Sequence, residues 1–386
     1  MITDIDSRVE TEPIAPPTLV GLVRYFLALG ATGFGGPVAL VGYMQRDLVD
    51  RRRWFAAPQF AEGLALAQLS PGPLAAQLAM YLGWLQGGAR GATLVGLAFI
   101  GPPFLMVLAL AAAYVAAGEL QWLQRAFVGV GAGVVCILAR SVMKLARLTL
   151  RADRLLWGVS LVSAAVVIVT RRELVWLLFA GGLVCAALRG PRAAASTLAL
   201  GAPWLLAAPL VLTSTALLQL LAFFVVAGVT VFGSGFAIIP FLYSGVVEQR
   251  HWLNERQFLD AIAVAMITPG PVVITAAFIG YLVAGSLGAV AASVGVFAPC
   301  WLLVLLLAPR FSSVVKRPFV RPFVDGVTAG ATGALAGAAV LLAARVLVDW
   351  RSLAIAVAAA LVLVLRVRIP EPLLIAAAGL VGVLLI

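Results

Sequence analysis

The sequence is short of charge and nearly without histidine. Only 11% of its 386 residues are Asp, Glu, Lys or Arg, and His251 is the single imidazole. Soluble domains carry about 25% charged residues, so the composition excludes an ordinary water-soluble globule. One histidine, with few acids outside the loops and the N-terminal tail, leaves little for a metal-assisted enzyme or a Ser/His hydrolase. Cys136, Cys185 and Cys300 lie in apolar stretches without metal-ligand spacing, and each reads as a small lipid- or core-facing residue. A Walker-type loop is absent, which excludes ATP hydrolysis by this chain. Nothing in the pattern calls for a cofactor. Residues 1–17 form a polar, acidic, proline-bearing tail, without the basic start and short apolar run of a cleaved signal peptide.

What the chain has instead is hydrophobicity. Apolar residues make up 63% of it, and the mean hydropathy is +1.09. Runs long enough to cross about 30 Å of hydrocarbon recur at Ala92–Ala116, Ala126–Met143, Leu217–Ile239 and Ala289–Leu307. These features predict an all-α polytopic protein whose solvent is the lipid bilayer. The net charge of +11 is concentrated in a few short loops, as cytoplasmic loops collect Lys and Arg. A nucleic-acid partner would need a solvated basic domain with interleaved aromatics, and there is none.

The chain also says nearly the same thing twice. Phe34-Gly35-Gly36-Pro37 returns about 198 residues later as Phe232-Gly233-Ser234-Gly235. Trp54 returns as Trp252, Gln59-Phe60 as Gln257-Phe258, and Glu62 as Asp260. Ser70-Pro71-Gly72-Pro73 returns as Thr268-Pro269-Gly270-Pro271. After a one-residue slip, Pro102 matches Pro299, Gly129 matches Gly326 and Gly182 matches Gly379. Two related halves are expected at 18–188 and 216–386, joined by an apolar segment, 189–215, that could add a span.

Loop charges set the halves upside down relative to each other. Arg46, Arg51, Arg52 and Arg53 crowd one loop, whereas the counterpart around Glu248, Arg250, Glu255 and Arg256 is balanced. The loop read at Arg140–Arg154 holds five basic residues and one acid, while its counterpart carries Arg345, Asp349 and Arg351. Further on the sign reverses: Glu119 and Arg125 balance, but Arg310, Lys316, Arg317 and Arg321 accumulate in the second half. The positive-inside rule then places matched loops on opposite sides, the plan of inverted-repeat transporters. Residues 58–69 with 73–85, and 256–267 with 271–283, read as broken or re-entrant hairpins. Proline removes a donor and clashes with the preceding turn in the middle of each. Asn254 followed by Gln257 signals an N-cap. Five crossings plus one hairpin per half, with both termini external, make ten spans, rising toward 13 if the hairpins or the linker cross.

Non-helical backbone in lipid is tolerated only against protein or a water-filled cavity. The breaks at Gly35, Gly36 and Pro37, at Gly72 and Pro73, at Gly233, Ser234 and Gly235, and at Gly270 and Pro271 therefore form the candidate binding region. Each new helix would direct unpaired N–H groups and about half a positive charge at the gap, which suits an oxyanion held by backbone. Ser70, Gln77, Thr268 and Thr275 could add donors. The same glycines and prolines would also serve plain helix packing and kinking. Glu62 and Asp260 are the proton-coupling candidates, because a carboxylate in a membrane element is costly; stabilisation near the interface accounts for them equally. Arg24, without a counterpart, reads as snorkelling, and Trp54 and Trp252 read as interfacial anchors.

The double Phe-Gly-Gly-Pro and Pro-Gly-Pro pattern, with the arginine-rich stretch Tyr43–Trp54 and Gln68–Pro73, resembles the chromate ion transporters in their long two-domain form. The resemblance covers essentially the whole chain. It implies a multi-pass protein of the bacterial inner membrane, exporting chromate on the proton gradient, with sulfate as a competitor. Departures from the family pattern are Ala28 for a basic residue, Leu40 for a histidine and Ala67 for a cysteine. Gly233-Ser234-Gly235, replacing a plain double glycine and proline, sets the second break apart from the first. The alternatives are a transporter of sulfate or another dianion, a membrane-embedded enzyme acting on lipid, and a passive channel. A homodimer is compatible with all of them.

Overall fold

The computed structural model describes residues 17–34, 36–116, 121–150, 152–170, 175–189, 216–230, 238–311, 319–364 and 371–385. The tail, the linker from 190 to 215, and Gly35, Gly233, Ser234 and Gly235 lie outside the described residues.

Fourteen α-helices and no strand occur among the described residues. In the first half they are α1 (Leu19–Thr32), α2 (Gly36–Met44), α3 (Ala57–Leu69), α4 (Leu74–Ala116), α5 (Gln121–Thr149), α6 (Arg154–Thr170) and α7 (Val175–Arg189). In the second half they are α8 (Ala216–Thr230), α9 (Ile238–Leu242), α10 (Glu255–Ile267), α11 (Thr275–Leu307), α12 (Val320–Val346), α13 (Trp350–Val364) and α14 (Glu371–Leu385). Among the described residues four stretches are long and apolar enough to cross a membrane: Leu74–Ala116, Val128–Arg147, Val272–Arg310 and Val320–Ala344. Six shorter apolar helices accompany them. Large side chains on their outer faces stay exposed, Leu94, Leu97, Leu105 and Val115 on α4 among them. An apolar surface of this extent suits lipid as the surrounding medium.

The two repeats share local detail that their sequences explain. Asn254 caps α10 reciprocally: its Oδ1 accepts from Gln257 N–H at 2.8 Å, and Gln257 Oε1 accepts from Asn254 N–H at 3.0 Å. The first repeat has Ala56 at that position and keeps only the returning bond, from Ala56 N–H to Gln59 Oε1 at 3.0 Å. Both α2 and α9 run on into a π-helical turn, Gln45–Arg51 and Tyr243–Gln249. Each turn closes through a left-handed residue, Arg53 (φ 50°) or His251 (φ 51°). Just before it Arg52 stacks on Trp54 and Tyr25, as Arg250 does on Trp252 and Phe223. The arginines and tryptophans of these loops therefore form matched cation–π stacks.

The hairpins are present as local structure. Helix α3 and the arm 74–86 flank the first Pro-Gly-Pro. The chain then turns at Gly87 and Gly88, whose backbone is not helical, before continuing to Ala116. Ala284 and Gly285 make the same turn in α11. Glycine is required at the apex: Gly88 has φ 57° and Gly285 φ 64°. Either side of each turn Gly83 meets Gly91, and Gly280 meets Gly288, so closely that no side chain fits between them.

The helices that follow cross over between repeats. Helices α6 and α7 pack on α12, while α13 and α14 pack on α5. Repeated glycines account for this. A Cβ on Gly326 would lie 2.8 Å from Gly182 Cα, and one on Gly129 would lie 2.9 Å from Gly382 Cα. In lipid no hydrophobic force drives helices together, so small residues that admit close approach set these interfaces. One sequence expectation changes here. Arg140 to Arg147 do not form a loop but the last turns of α5, which runs to Thr149. Lys and Arg are good helix formers and extend the helix rather than end it. The segment that does turn is anchored by Asp153, whose Oδ1 accepts from Leu155 N–H at 3.0 Å and is bridged by Arg189. The hydrogen bond from Arg189 holds the Asp153 carboxyl below its usual range.

Candidate functional site

The Pro-Gly-Pro tips are buried, not lipid-facing. Ser70, Thr268 and Thr275 are 3%, 6% and 1% exposed, and Gln77 is fully buried. Each tip packs against the long helix of the other repeat. A Cβ on Gly72 would lie 2.6 Å from Cys300 Cβ on α11, and one on Gly270 would lie 2.7 Å from Pro103 Cγ on α4. Cys300 and Pro103 occupy matching places in the two repeats. Both glycines hold backbone conformations that other residues rarely adopt, with φ 135° at Gly72 and 97° at Gly270.

Among the described residues, one main-chain bond joins the breaks of the two halves. Gly270 N–H donates to Gly33 O at 2.8 Å. The last carbonyls of a helix have no partner within it, and at the end of α1 the opposed repeat supplies one. In this conformation the Gly270 amide is engaged with protein. Gly36 opens α2 at φ 73°, with Pro37 second in that helix. Pro73 immediately precedes α4, and Pro271 precedes a short 3-10 turn, Val272–Ile274, that leads into α11.

The hydroxyls at the tips are also engaged. Ser70 Oγ donates to Leu66 O at 2.7 Å, Thr268 Oγ1 to Val264 O at 2.9 Å, and Thr275 Oγ1 to Val272 O at 2.7 Å. Their hydrogens satisfy the preceding turn, which leaves lone pairs, rather than O–H donors, for anything in the gap. Gln77 Nε2 donates to Pro71 O at 2.6 Å across the break.

The two carboxylates diverge. Glu62 is exposed, whereas Asp260 is 2% exposed and accepts a hydrogen bond from Tyr114 Oη of α4 at 2.8 Å. Arg256, one turn earlier on α10, adds a positive charge nearby. The matching position to Tyr114 in the second repeat is Phe311, and the phenol bonded to Glu62 is instead Tyr81, from its own repeat. The Tyr114 to Asp260 link escaped the sequence reading, because nothing in the spacing of residues 146 apart announces a contact. The absence of a tyrosine at Phe311 was the available signal. A second link between repeats, from Trp301 Nε1 to Thr93 Oγ1 at 3.0 Å, was equally silent.

Comparison with known proteins agrees with this architecture. The family model for the chromate transporter matches residues 20–213 and again 218–383, one match per half. A chromate transport protein of Cupriavidus metallidurans is 50% identical over 374 residues, covering 95% of this chain and 92% of the relative. A probable chromate transport protein of Synechococcus elongatus is 48% identical over 389 residues, covering 99% and 98%. A chromate transport protein of Pseudomonas aeruginosa is 35% identical over 359 residues, covering 88% and 84%. No solved structure matches the chain significantly. With both repeats matched and half of the residues shared along nearly the full length, the chain is a multi-pass membrane protein that belongs to the chromate transporter family, transporters rather than enzymes.

Proposed function

We propose that this chain is a secondary active transporter that exports chromate across the bacterial inner membrane, coupled to the proton gradient. The two halves would be inverted repeats whose broken helices hold the oxyanion between them. Support for inversion comes from the reversed loop charges. Support for a shared site comes from the bond between Gly270 N–H and Gly33 O and from the packing of each Pro-Gly-Pro tip on the opposite repeat. The contact between opposed breaks is the observation that carries the reading. A rocking of one repeat against the other would have to open it, which is what alternating access at a fixed site requires.

Proton coupling is assigned to Asp260 rather than Glu62. Asp260 is buried and bonded across the repeat boundary, so its protonation state and the repeat contact act on each other. Sulfate shares the shape and charge of chromate and enters as the weaker competitor. The test is accumulation of labelled chromate in everted vesicles. Uptake that appears on energisation and collapses with a protonophore is expected. Equilibration without accumulation would make the protein a passive channel and overturn the proposal.

A further inference from the structure

The repeats are nearly symmetric, yet their two half-helix starts are not equivalent. Gln77 of the first repeat occupies the place of Thr275 in the second. At the second start the chain enters α11 through the 3-10 turn Val272–Ile274, in which Ile274 N–H donates to Pro271 O at 3.0 Å. Thr275 closes on itself there through its bond to Val272 O. The first start has no such turn. Helix α4 begins at Leu74, and Gln77 N–H makes the first helical bond, to Pro73 O at 2.9 Å. By helix geometry the N–H groups of Leu74, Ala75 and Ala76 precede that bond and have no acceptor within the helix. These three residues are buried, at 8%, 1% and 0% exposure.

The Gln77 side chain adds an independent observation. Its Nε2 donates to Pro71 O at 2.6 Å, and the amide lies against Gly72, where an added Cβ would come 2.6 Å from Nε2. The bond to Pro71 O fixes the orientation of the amide, because turning it over would set carbonyl against carbonyl. Gln77 Oε1 is thereby left buried at the break without a hydrogen-bond partner. A buried acceptor without a donor is costly, and in a native site it calls for a ligand or water. The orphan is an acceptor, so it needs a donor and repels a bare oxyanion oxygen.

We infer that the start of α4 is the end that holds the oxyanion, and that the form it holds is singly protonated. The ligand's unprotonated oxygens take the Leu74, Ala75 and Ala76 amides at the positive end of the helix, and its hydroxyl donates to Gln77 Oε1. This deepens the transport proposal and rests on it. It also supplies what shape and charge do not, a way to tell chromate from sulfate. Chromate is the anion of a weak second acid, so part of it carries a proton near neutral pH. Sulfate is the anion of a strong acid and there offers no hydroxyl. In this site the selection is for the hydrogen-oxyanion.

The test is equilibrium dialysis of the purified full chain in nanodiscs with labelled chromate and, separately, labelled sulfate, at pH values spanning the second ionisation of chromate. Equilibrium binding removes the coupling step from the measurement. The apparent Kd for chromate is expected to be flat below that ionisation and to rise about tenfold per pH unit above it. Sulfate is expected to bind weakly and without that slope. A titrating protein group such as Asp260 would instead impose one slope on both anions. Gln77→Met, which keeps the volume and removes the acceptor, should erase the preference by about tenfold. If that variant fails to fold, the two wild-type profiles decide. Chromate binding that is flat or tightens with rising pH, or a profile shared with sulfate, overturns the inference and leaves a buried water as the donor. Binding of neither anion overturns it together with the transport proposal.

Discussion

Replacing Gly270 by alanine adds one methyl group and tests the contact between the breaks. The position has φ 97°, where a non-glycine residue stores about 1–3 kcal/mol of strain. The new Cβ would stand 2.7 Å from Pro103 Cγ and 2.9 Å from Pro103 Cβ, a rigid ring that has nowhere to rotate. Overpacking of this kind costs about 1–3 kcal/mol. Relief by moving the tip would break the bond to Gly33 O, worth about 1 kcal/mol. Strain and overpacking together come to about 2–6 kcal/mol, a large share of a typical stability of about 5–15 kcal/mol. Gly88→Ala is the matched control. Its φ is 57° and its ψ −142°, and nothing lies within 4 Å of the added Cβ, so only backbone strain of about 1–3 kcal/mol applies. Thermal unfolding of the purified proteins, read beside energised chromate uptake, should show Gly270→Ala several degrees less stable than Gly88→Ala and transport-deficient, with Gly88→Ala still transporting. Equal behaviour of the two variants would refute the reasoning, because it would mean that Gly270 does not press on the opposed repeat.

Three further outcomes follow from the same geometry. Tyr114→Phe removes the hydroxyl on Asp260 and should change the pH profile of energised uptake, whereas Glu62→Gln should leave that profile as in the wild type; the reverse pattern would move coupling to the first hairpin. Gly326→Val should loosen the crossed packing of α12 on α7 and lower the unfolding temperature by several degrees, while Gly42→Ala, on an exposed helical position with nothing within 4 Å, should hold or raise it. Asp349 caps α13 by accepting from Ser352 N–H at 2.8 Å, and its hydrogen bonds with Ser352 hold the carboxyl below the usual carboxylate range. Its folded pKa is depressed, so its contribution is present above the unfolded value of about 3.9 and is lost as pH falls through the lower folded value. Asp349→Ala should accordingly lower the unfolding temperature at neutral pH and have little effect in strong acid.

Local signals in this chain are strong, and the sequence reading recovers what they govern. Asn254 and Gln257 announced a reciprocal cap that is present, and proline in Pro71-Gly72-Pro73 announced a broken hairpin whose arms lie within a residue of the expected bounds. The return of Gly129 as Gly326 and of Gly182 as Gly379 announced a need common to both halves but not its nature. Close approach of helices from different repeats is a tertiary fact, invisible until the partners are placed. The same limit hid Tyr114 on Asp260. It also hid the engagement of Ser70, Thr268 and Thr275 with their own preceding turns, because a hydroxyl reads alike as a donor to ligand or to backbone. Arg140 to Arg147 misled for another reason: clustered charge resembled a loop, while their helix propensity carried α5 onward.

The most direct test of the central claim is to locate the anion itself, using the anomalous scattering of chromium in crystals of the full chain grown with chromate. The account predicts a chromium peak at the start of α4, within hydrogen-bond reach of the Leu74–Ala76 amides and beside Gln77 Oε1. A peak at the arginine-rich turn near Arg52, or at the start of α11 alone, would contradict it.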